Sequence, residues 1–516
     1  MHLVSERRDS RRLAVVSATI TLAVFALLLL AGRAQAAESL YWNNYSAEPG
    51  SIAFANVDGG GGGALNSSGA VIDSPEGNAY DSVTNRIYVA ASSSGDKGQI
   101  IFINLDNSGA GVLSTPGVTV NNPEGLAVDP GTRTLYWINS ADSPQTIGWA
   151  RLDGSAAGTL NTSGADVDGA YRLAIDPIAQ RVYWGNTGGP TEIAYASYNG
   201  GGGGVLSLDG ASPPSDISGL AVVPSLGRIY WLDEDRVSFA SLNGGSGGDL
   251  SLTGGVFNSP YGLAIDPGTN RVYWANYAGG SEERTNALGY GNLSGGGGGI
   301  TISSAPVDGP QDPLLLKSPF GTGAPTLTRN AVLRNELTCS TGSWAQDLPG
   351  SFVYQAPRSL TYQWTLNGVA IPGATATTLA ATAAGGYACT VTATNHLGSA
   401  AQTSVPVALK ASKVKLTTKK KAKADPGDLV TFKLKAINQG DVQSKAARIC
   451  VKLPKAAKDD LRRPKCKKLG ALTGGVRKTA TIKVKVKGGA DEGTDKLTFQ
   501  VKGTPGKAAK SKIVVR

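Results

Sequence analysis

Apolar residues over the first three hundred positions come in short adjacent runs, without the 3.6-residue spacing of a helix. Leu263-Ala264-Ile265 is followed by the turn residues Asp266-Pro267-Gly268 and then by Arg271-Val272-Tyr273-Trp274, a β-branched and aromatic stretch. This order reads as strand, turn, strand. The same text recurs around Leu126, Leu173 and Leu220. A sheet with one wet face alternates apolar and polar side chains, whereas adjacent apolar residues such as Val272, Tyr273 and Trp274 call for burial on both faces. A third strand follows each hairpin, as in Ser51-Ile52-Ala53-Phe54-Ala55-Asn56. Glycine runs at 59–63, 200–204 and 295–299 occupy the turn after it. They lack the Gly-Lys-Ser/Thr of a phosphate loop, so an outer-strand turn is their expected role.

The second strand carries the ruler of the chain: Tyr41-Trp42, Tyr88-Val89, Tyr136-Trp137, Tyr183-Trp184, Tyr230-Trp231 and Tyr273-Trp274, with successive tyrosines 43 to 48 residues apart. That period accommodates about four short strands and their turns, so six copies predict six blades. Burying one such aromatic is worth roughly 1.5–3 kcal/mol. Trp42, Trp137, Trp184, Trp231 and Trp274 are therefore read as packing between blades, not as a ligand cage. The first Tyr-Trp has no strand before it, whereas Gly309-Pro310-Gln311-Asp312-Pro313-Leu314-Leu315-Leu316 copies that strand with no Tyr-Trp after it. The two fragments complete one blade and close the ring, which removes the exposed edges of an open array.

These repeats resemble the YWTD repeats of low-density-lipoprotein-receptor class B propellers, over 37–319. The resemblance departs where Thr-Asp should follow: here stand Asn43-Asn44, Ile138-Asn139, Gly185-Asn186, Leu232-Asp233 and Ala275-Asn276. It implies a fold and carries no receptor ligand with it. Behind the ring, Cys339, Trp364 and Tyr387-Ala388-Cys389 resemble the signature of an immunoglobulin-like sandwich over 323–409. That resemblance implies a disulfide between sheets, a tryptophan packed on it and a tyrosine anchoring a corner. The fold class expected is thus all-β: a six-bladed propeller and two β-sandwiches.

Charge separates the last module. Residues 410–516 hold 25 Lys and 5 Arg against 8 acidic residues, a net of +22, whereas 37–409 hold 14 basic against 29 acidic, a net of −15. Lys483-Val484-Lys485-Val486-Lys487 alternates with the period of a strand, lysines to one face and valines to a core. The module is therefore folded, and with Asn438-Gln439-Gly440-Asp441 it resembles CARDB/DUF11-like adhesion sandwiches. Cys450 and Cys466 would close a loop worth about 3 kcal/mol when oxidised. Four cysteines on an exported chain favour disulfides over metal.

Export is expected from 1–36, where Arg7, Arg8, Arg11 and Arg12 precede an apolar run and Ala34-Gln35-Ala36 offers a cleavage site. The run also has the length of a bilayer span, so retention as an anchor stays open. Beyond this segment the sole histidine is His396, which excludes a Ser-His-Asp set or a histidine metal cage in the ring. Carboxylates remain: Asp233, Glu234 and Asp235, with Glu282-Glu283, are the candidate ligands for calcium in a rival reading, a metal-assisted propeller hydrolase or lactonase. The preferred expectation is a monomeric, secreted or cell-envelope-associated recognition or adhesion protein without catalysis or cofactor. Its partner would be an extracellular protein or glycan. The lysine face is expected to solubilise the module, or to meet an anionic wall polymer or membrane surface. Specific nucleic-acid binding is not expected, because arginine is scarce there and Phe432 and Phe499 are the only phenylalanines.

Overall fold

A computed structural model describes residues 38–92, 97–277 and 287–516. Residues 1–36, read from sequence as an export signal, and the pair Glu282-Glu283 lie outside the described residues. The regular structure of the described residues is almost entirely strand, and the chain divides into two units. The first takes the chain up to Phe320 together with Ala345–Arg358 and Thr394–Ala400; the second is Gly321–Trp344, Ser359–Ala393 and Ala401–Arg516. Two segments read from sequence as parts of the immunoglobulin-like module thus belong to the ring. In the first segment Val353 and Tyr354 run parallel to Leu315 and Leu316, and in the second Asn395 Nδ2 donates to Lys317 O at 2.7 Å.

Among the described residues the first unit contains six sheets of four antiparallel strands, the first widened by Val353–Tyr354. Their inner strands begin near Pro75, Pro123, Arg172, Gly219, Pro260 and Pro310, and each touches the next, the last touching the first. The ring closes as the sequence fragments require. Pro310–Lys317 forms the inner strand of the blade that Glu38–Asn44 continues, with Leu40 opposite Leu315 and Ser39 opposite Leu316. Lys317 Nζ, itself buried, lies 2.6 Å from Asp266 of the sixth blade and 3.1 Å from Glu38 of the first.

The five tryptophans are fully buried. Close packing needs glycine opposite two of them: Gly148 pairs with Trp137 and Gly289 with Trp274, where a Cβ would stand 2.3 and 2.1 Å from the indole. The residue two beyond each tryptophan ties its strand to the loop that enters the inner strand of the same blade. Asn44, Asn139, Asn186 and Asn276 accept the backbone N–H of Asp308, Asn121, Asp168 and Asn258 at 3.1, 3.1, 3.1 and 3.2 Å. Trp42 and Trp137 Nε1 donate to the same asparagine oxygens at 3.0 and 2.8 Å. Asparagine suits this position because its oxygen accepts while its NH2 donates, as Asn44 does to Ser51.

The second unit holds two modules. In the first, Cys339 is bonded to Cys389, Trp364 is fully buried with Nε1 donating to Ala376 O at 2.8 Å, and the Tyr387 hydroxyl donates to Ala383 O at 2.8 Å. The lysine-rich module is a sandwich of two five-stranded sheets. Leu429–Asn438 and Arg477–Val486 alternate buried and exposed residues almost throughout. Phe432 and Phe499 face each other in the core, ring centroids 5.1 Å apart, and Cys450 is bonded to Cys466.

Candidate functional site

The charged centre of the propeller lies inside the ring, where the inner strands begin. At the third repeat position four blades carry glycine, Gly77, Gly125, Gly219 and Gly262; the other two carry Arg172 and Asp312. Those blades are three apart in a ring of six, so the two side chains meet across the channel, with Arg172 Nε 3.7 Å from Asp312 Oδ1. The glycines make room. A Cβ on Gly262 would stand 2.4 Å from the Asp312 Cα. Arg172 Nε also donates to Ser218 O at 2.8 Å, and its guanidinium lies 5.1 Å from the centre of the Tyr261 ring. Asp312 Oδ2 accepts Gly77 N–H at 2.8 Å and Asn43 Nδ2 at 3.4 Å, while Asn78 Nδ2 donates to Asp312 O at 2.7 Å.

One position earlier, Glu76 and Glu124 stand on neighbouring blades, close enough for each carboxyl to act on the other. Glu124 is buried and accepts from Asn122 Nδ2 at 3.2 Å. Burial, reinforced by the charge on Glu76 and opposed by Arg172, pushes Glu124 up to about 8. Burial also raises Glu76, against the pull of Arg172. The charge on Glu76 thus helps to keep Glu124 protonated near neutrality. Burial works against the charge of Arg172, but Asp312, Glu76 and Glu124 outweigh it and hold the guanidinium protonated.

Tyrosines edge this mouth. Tyr45 and Tyr277 sit three residues after Trp42 and Trp274, at the start of the loops that follow the pairs. The Tyr277 ring meets Tyr45 and Tyr261 edge-on, with centroids 6.1 and 5.8 Å apart. All three rings are half-buried. Below the charges is a cavity of about 20 Å³, lined by Arg172, Asp312, Leu126, Leu220, Leu263 and Phe352. That is room for about one water molecule. The far end is stopped by the turn Pro349–Ser351, where Ser351 Oγ donates to Val222 O at 2.9 Å, and by Phe352, whose carbonyl accepts Leu315 N–H at 2.9 Å.

The arrangement offers hydrogen-bond acceptors, a buried carboxylic acid and aromatic edges. Sequence reasoning missed Glu76, Glu124, Arg172 and Asp312. The signal was present in the one repeat position where glycine gives way to opposite charges.

Of the carboxylates chosen from sequence as candidate calcium ligands, Asp233 is taken up in the hydrogen bonding of its own blade. Asp233 occupies the blade-closing position that asparagine fills in four other blades: it is fully buried, paired with Arg236, and accepts from Ser215 Oγ at 2.7 Å and Glu234 N–H at 2.9 Å. Its charge is already compensated. This diversion leaves Trp231 Nε1 without a partner. Glu234 is exposed at the rim position equivalent to Tyr45, and Asp235 is exposed beside Arg236 at 3.3 Å. Among the described residues no group of three or more His, Cys, Asp or Glu side chains is placed to hold a metal ion. His396 belongs to the ring unit, 3.4 Å from Asn85 in the turn after an inner strand, at the end opposite Glu124.

No protein-family model matches the sequence, and no curated protein matches it. Among solved structures, one described as a nidogen/laminin complex aligns at TM-score 0.41 and 16% identity, over 54% of this chain and 98% of that one. TolB from Acinetobacter baumannii aligns at 0.39 and 15%, over 54% and 66%. A CARDB domain of a Pyrococcus furiosus protein, described in complex with di-metal ions, aligns at 0.16 and 12%, over 20% and 89%.

Proposed function

We propose that the chain is an exported, cell-envelope-associated, non-catalytic recognition or adhesion protein, whose YWTD-type propeller presents its tyrosine-edged mouth to an extracellular protein or glycan. The observation that carries this reading is the stopped channel. With Phe352 at one end and Arg172 paired to Asp312 above it, the cavity between them has room for about one water molecule, which favours binding at the rim over turnover inside. What is left for a ligand is the rim: Tyr45, Tyr261 and Tyr277 supply flat apolar edges, and the Glu76–Glu124 pair supplies buried hydrogen-bonding groups. Aromatic faces beside a few fixed polar groups are the usual composition of a recognition surface.

The test is binding of the full chain to isolated envelopes in high salt, which screens the lysine-rich module. Saturable binding weakened at least tenfold by Tyr45→Ala/Tyr277→Ala is the expected result. Binding that is absent, or indifferent to these substitutions, counts against the mouth. The rival hydrolase is tested by calcium titration of the same protein; saturable calcium binding accompanied by ester or lactone turnover would replace the present reading.

A further inference from the structure

One outer face of the lysine-rich sandwich is built against its own stability. Its sheet is ordered Lys421–Ala424, Ala509–Val515, Gly493–Lys502, Ala447–Lys452 and Lys467–Gly470. The register sets Lys421 opposite Lys512 and Lys512 opposite Lys496, three ammonium groups abreast. Toward the other end Arg448 lies opposite Lys502 on one side and Lys468 on the other. All six side chains are exposed. Adjacent strands are about 4.8 Å apart, and like charges directly opposite destabilise a sheet. The nearest acid in sequence, Asp495, is buried on the other side of its strand.

The second sheet of the same sandwich is arranged differently, with staggered lysines, at its centre. There Lys433 lies opposite Thr481, Lys435 opposite Thr479 and Lys483 opposite Thr431, and like charges meet only in pairs toward the edges, Lys485 with Arg462 and Lys415 with Lys507. Basic side chains stacked three abreast are found on the first face. A row of like charges at strand spacing complements a polymer that carries one opposite charge per repeat.

We infer that the stacked face docks a linear phosphodiester polymer without bases; this rests on reading the chain as an envelope protein and names what its basic module holds. Lysine meets phosphate as a point charge, without the bidentate fork of arginine, which suits repeated single charges better than one shaped group. The outward positions of Gly493–Lys502 are Thr494, Lys496, Thr498, Gln500 and Lys502, with no aromatic ring to stack a base or enter a bilayer. Lysines on the opposite sheet would also be turned away from any planar membrane that met this one.

The experiment uses the full chain, a synthetic poly(glycerol phosphate) as probe, and anionic phospholipid vesicles as the competing surface. Two triples change net charge equally: Lys421→Glu/Lys496→Glu/Lys512→Glu on the stacked face and Lys433→Glu/Lys435→Glu/Lys483→Glu on the staggered face. The first should weaken polymer binding at least tenfold and lower the slope of log affinity against log salt by about 2. The second should cost less than threefold. Lys421→Gln/Lys496→Gln/Lys512→Gln, which relieves repulsion, repeats the first test without added charge. Equal losses from the two glutamate triples, absence of polymer binding, or binding to vesicles alone would each overturn the inference. Because the probe does not depend on the propeller mouth, such a failure leaves the envelope-binding test of the mouth unaffected, and the reverse holds.

Discussion

Glu124 concentrates the residue-scale argument. Its carboxyl is buried on Glu76 and so titrates near 8, not near its ordinary value of 4.5. Because the folded chain holds this proton more tightly than the unfolded one, the contribution to stability is full below about pH 4.5 and is lost as pH rises through about 8. Glu124→Gln carries a permanent amide proton in the same place. The variant should therefore lose much of the stability decline between pH 5 and pH 9, and urea midpoints of the ring transition at those two values would show it. A decline as steep as that of the parent chain would mean that another group is responsible. The same carboxyl shows why this site was illegible in the sequence. Glu76 and Glu124 sit in two repeats, and only closure of the ring brings Asp312, from the end of the array, to Arg172 from a third repeat, where their charges act on the glutamates. Trp137 needed no such knowledge, since a repeated bulky aromatic between β-branched residues has one inexpensive location, the interior.

At the scale of strands, periodicity carried most of the information. Adjacent apolar residues at Val272, Tyr273 and Trp274 gave the two-sided burial of a blade, and Lys-Val alternation gave the one-sided burial of the sandwich. What alternation does not give is register. Lys483 and Lys512 look alike in sequence, yet one lies opposite Thr431 and the other opposite both Lys421 and Lys496. The difference makes a stability prediction independent of any ligand. Lys512→Thr copies the staggered arrangement onto the stacked face and removes two like-charge contacts, worth roughly 0.2–1 kcal/mol each in cross-strand pairs. It should raise the melting temperature of the lysine-rich module at low salt, with the gain fading above about 0.5 M salt as screening takes over. Lys483→Thr should give no comparable gain. The segment Pro349–Ser351 illustrates another limit of local reading: nothing in its own pattern announces a plug, because its partners Val222 and Leu315 are more than thirty residues away in sequence.

The whole ring depends on its last strand. Pro310–Lys317 supplies the inner strand of the first blade, half of the Arg172–Asp312 crossing, the pairing partner of Val353–Tyr354, and the cation that satisfies Asp266. Lys317 is the most exacting of these contributions, because Asp266 is fully buried and Lys317 is nearly so. Removing one partner of such a pair leaves an uncompensated charge inside the protein, which typically costs about 3–5 kcal/mol. Asp266 retains hydrogen bonds from Gly268 N–H and Thr269 Oγ1, so the lower end of that range applies to Lys317→Met. The double variant Lys317→Met/Asp266→Leu takes both charges out and should recover part of the loss, which separates charge from packing. If closure organises the ring, both variants should shift all propeller signals together in thermal unfolding, and deletion of 309–319 should abolish that cooperative transition while leaving the melting of the disulfide-bonded modules behind it. A ring that melts unchanged after the deletion would show that the inner strand of the first blade is an ornament of the fold and not its latch.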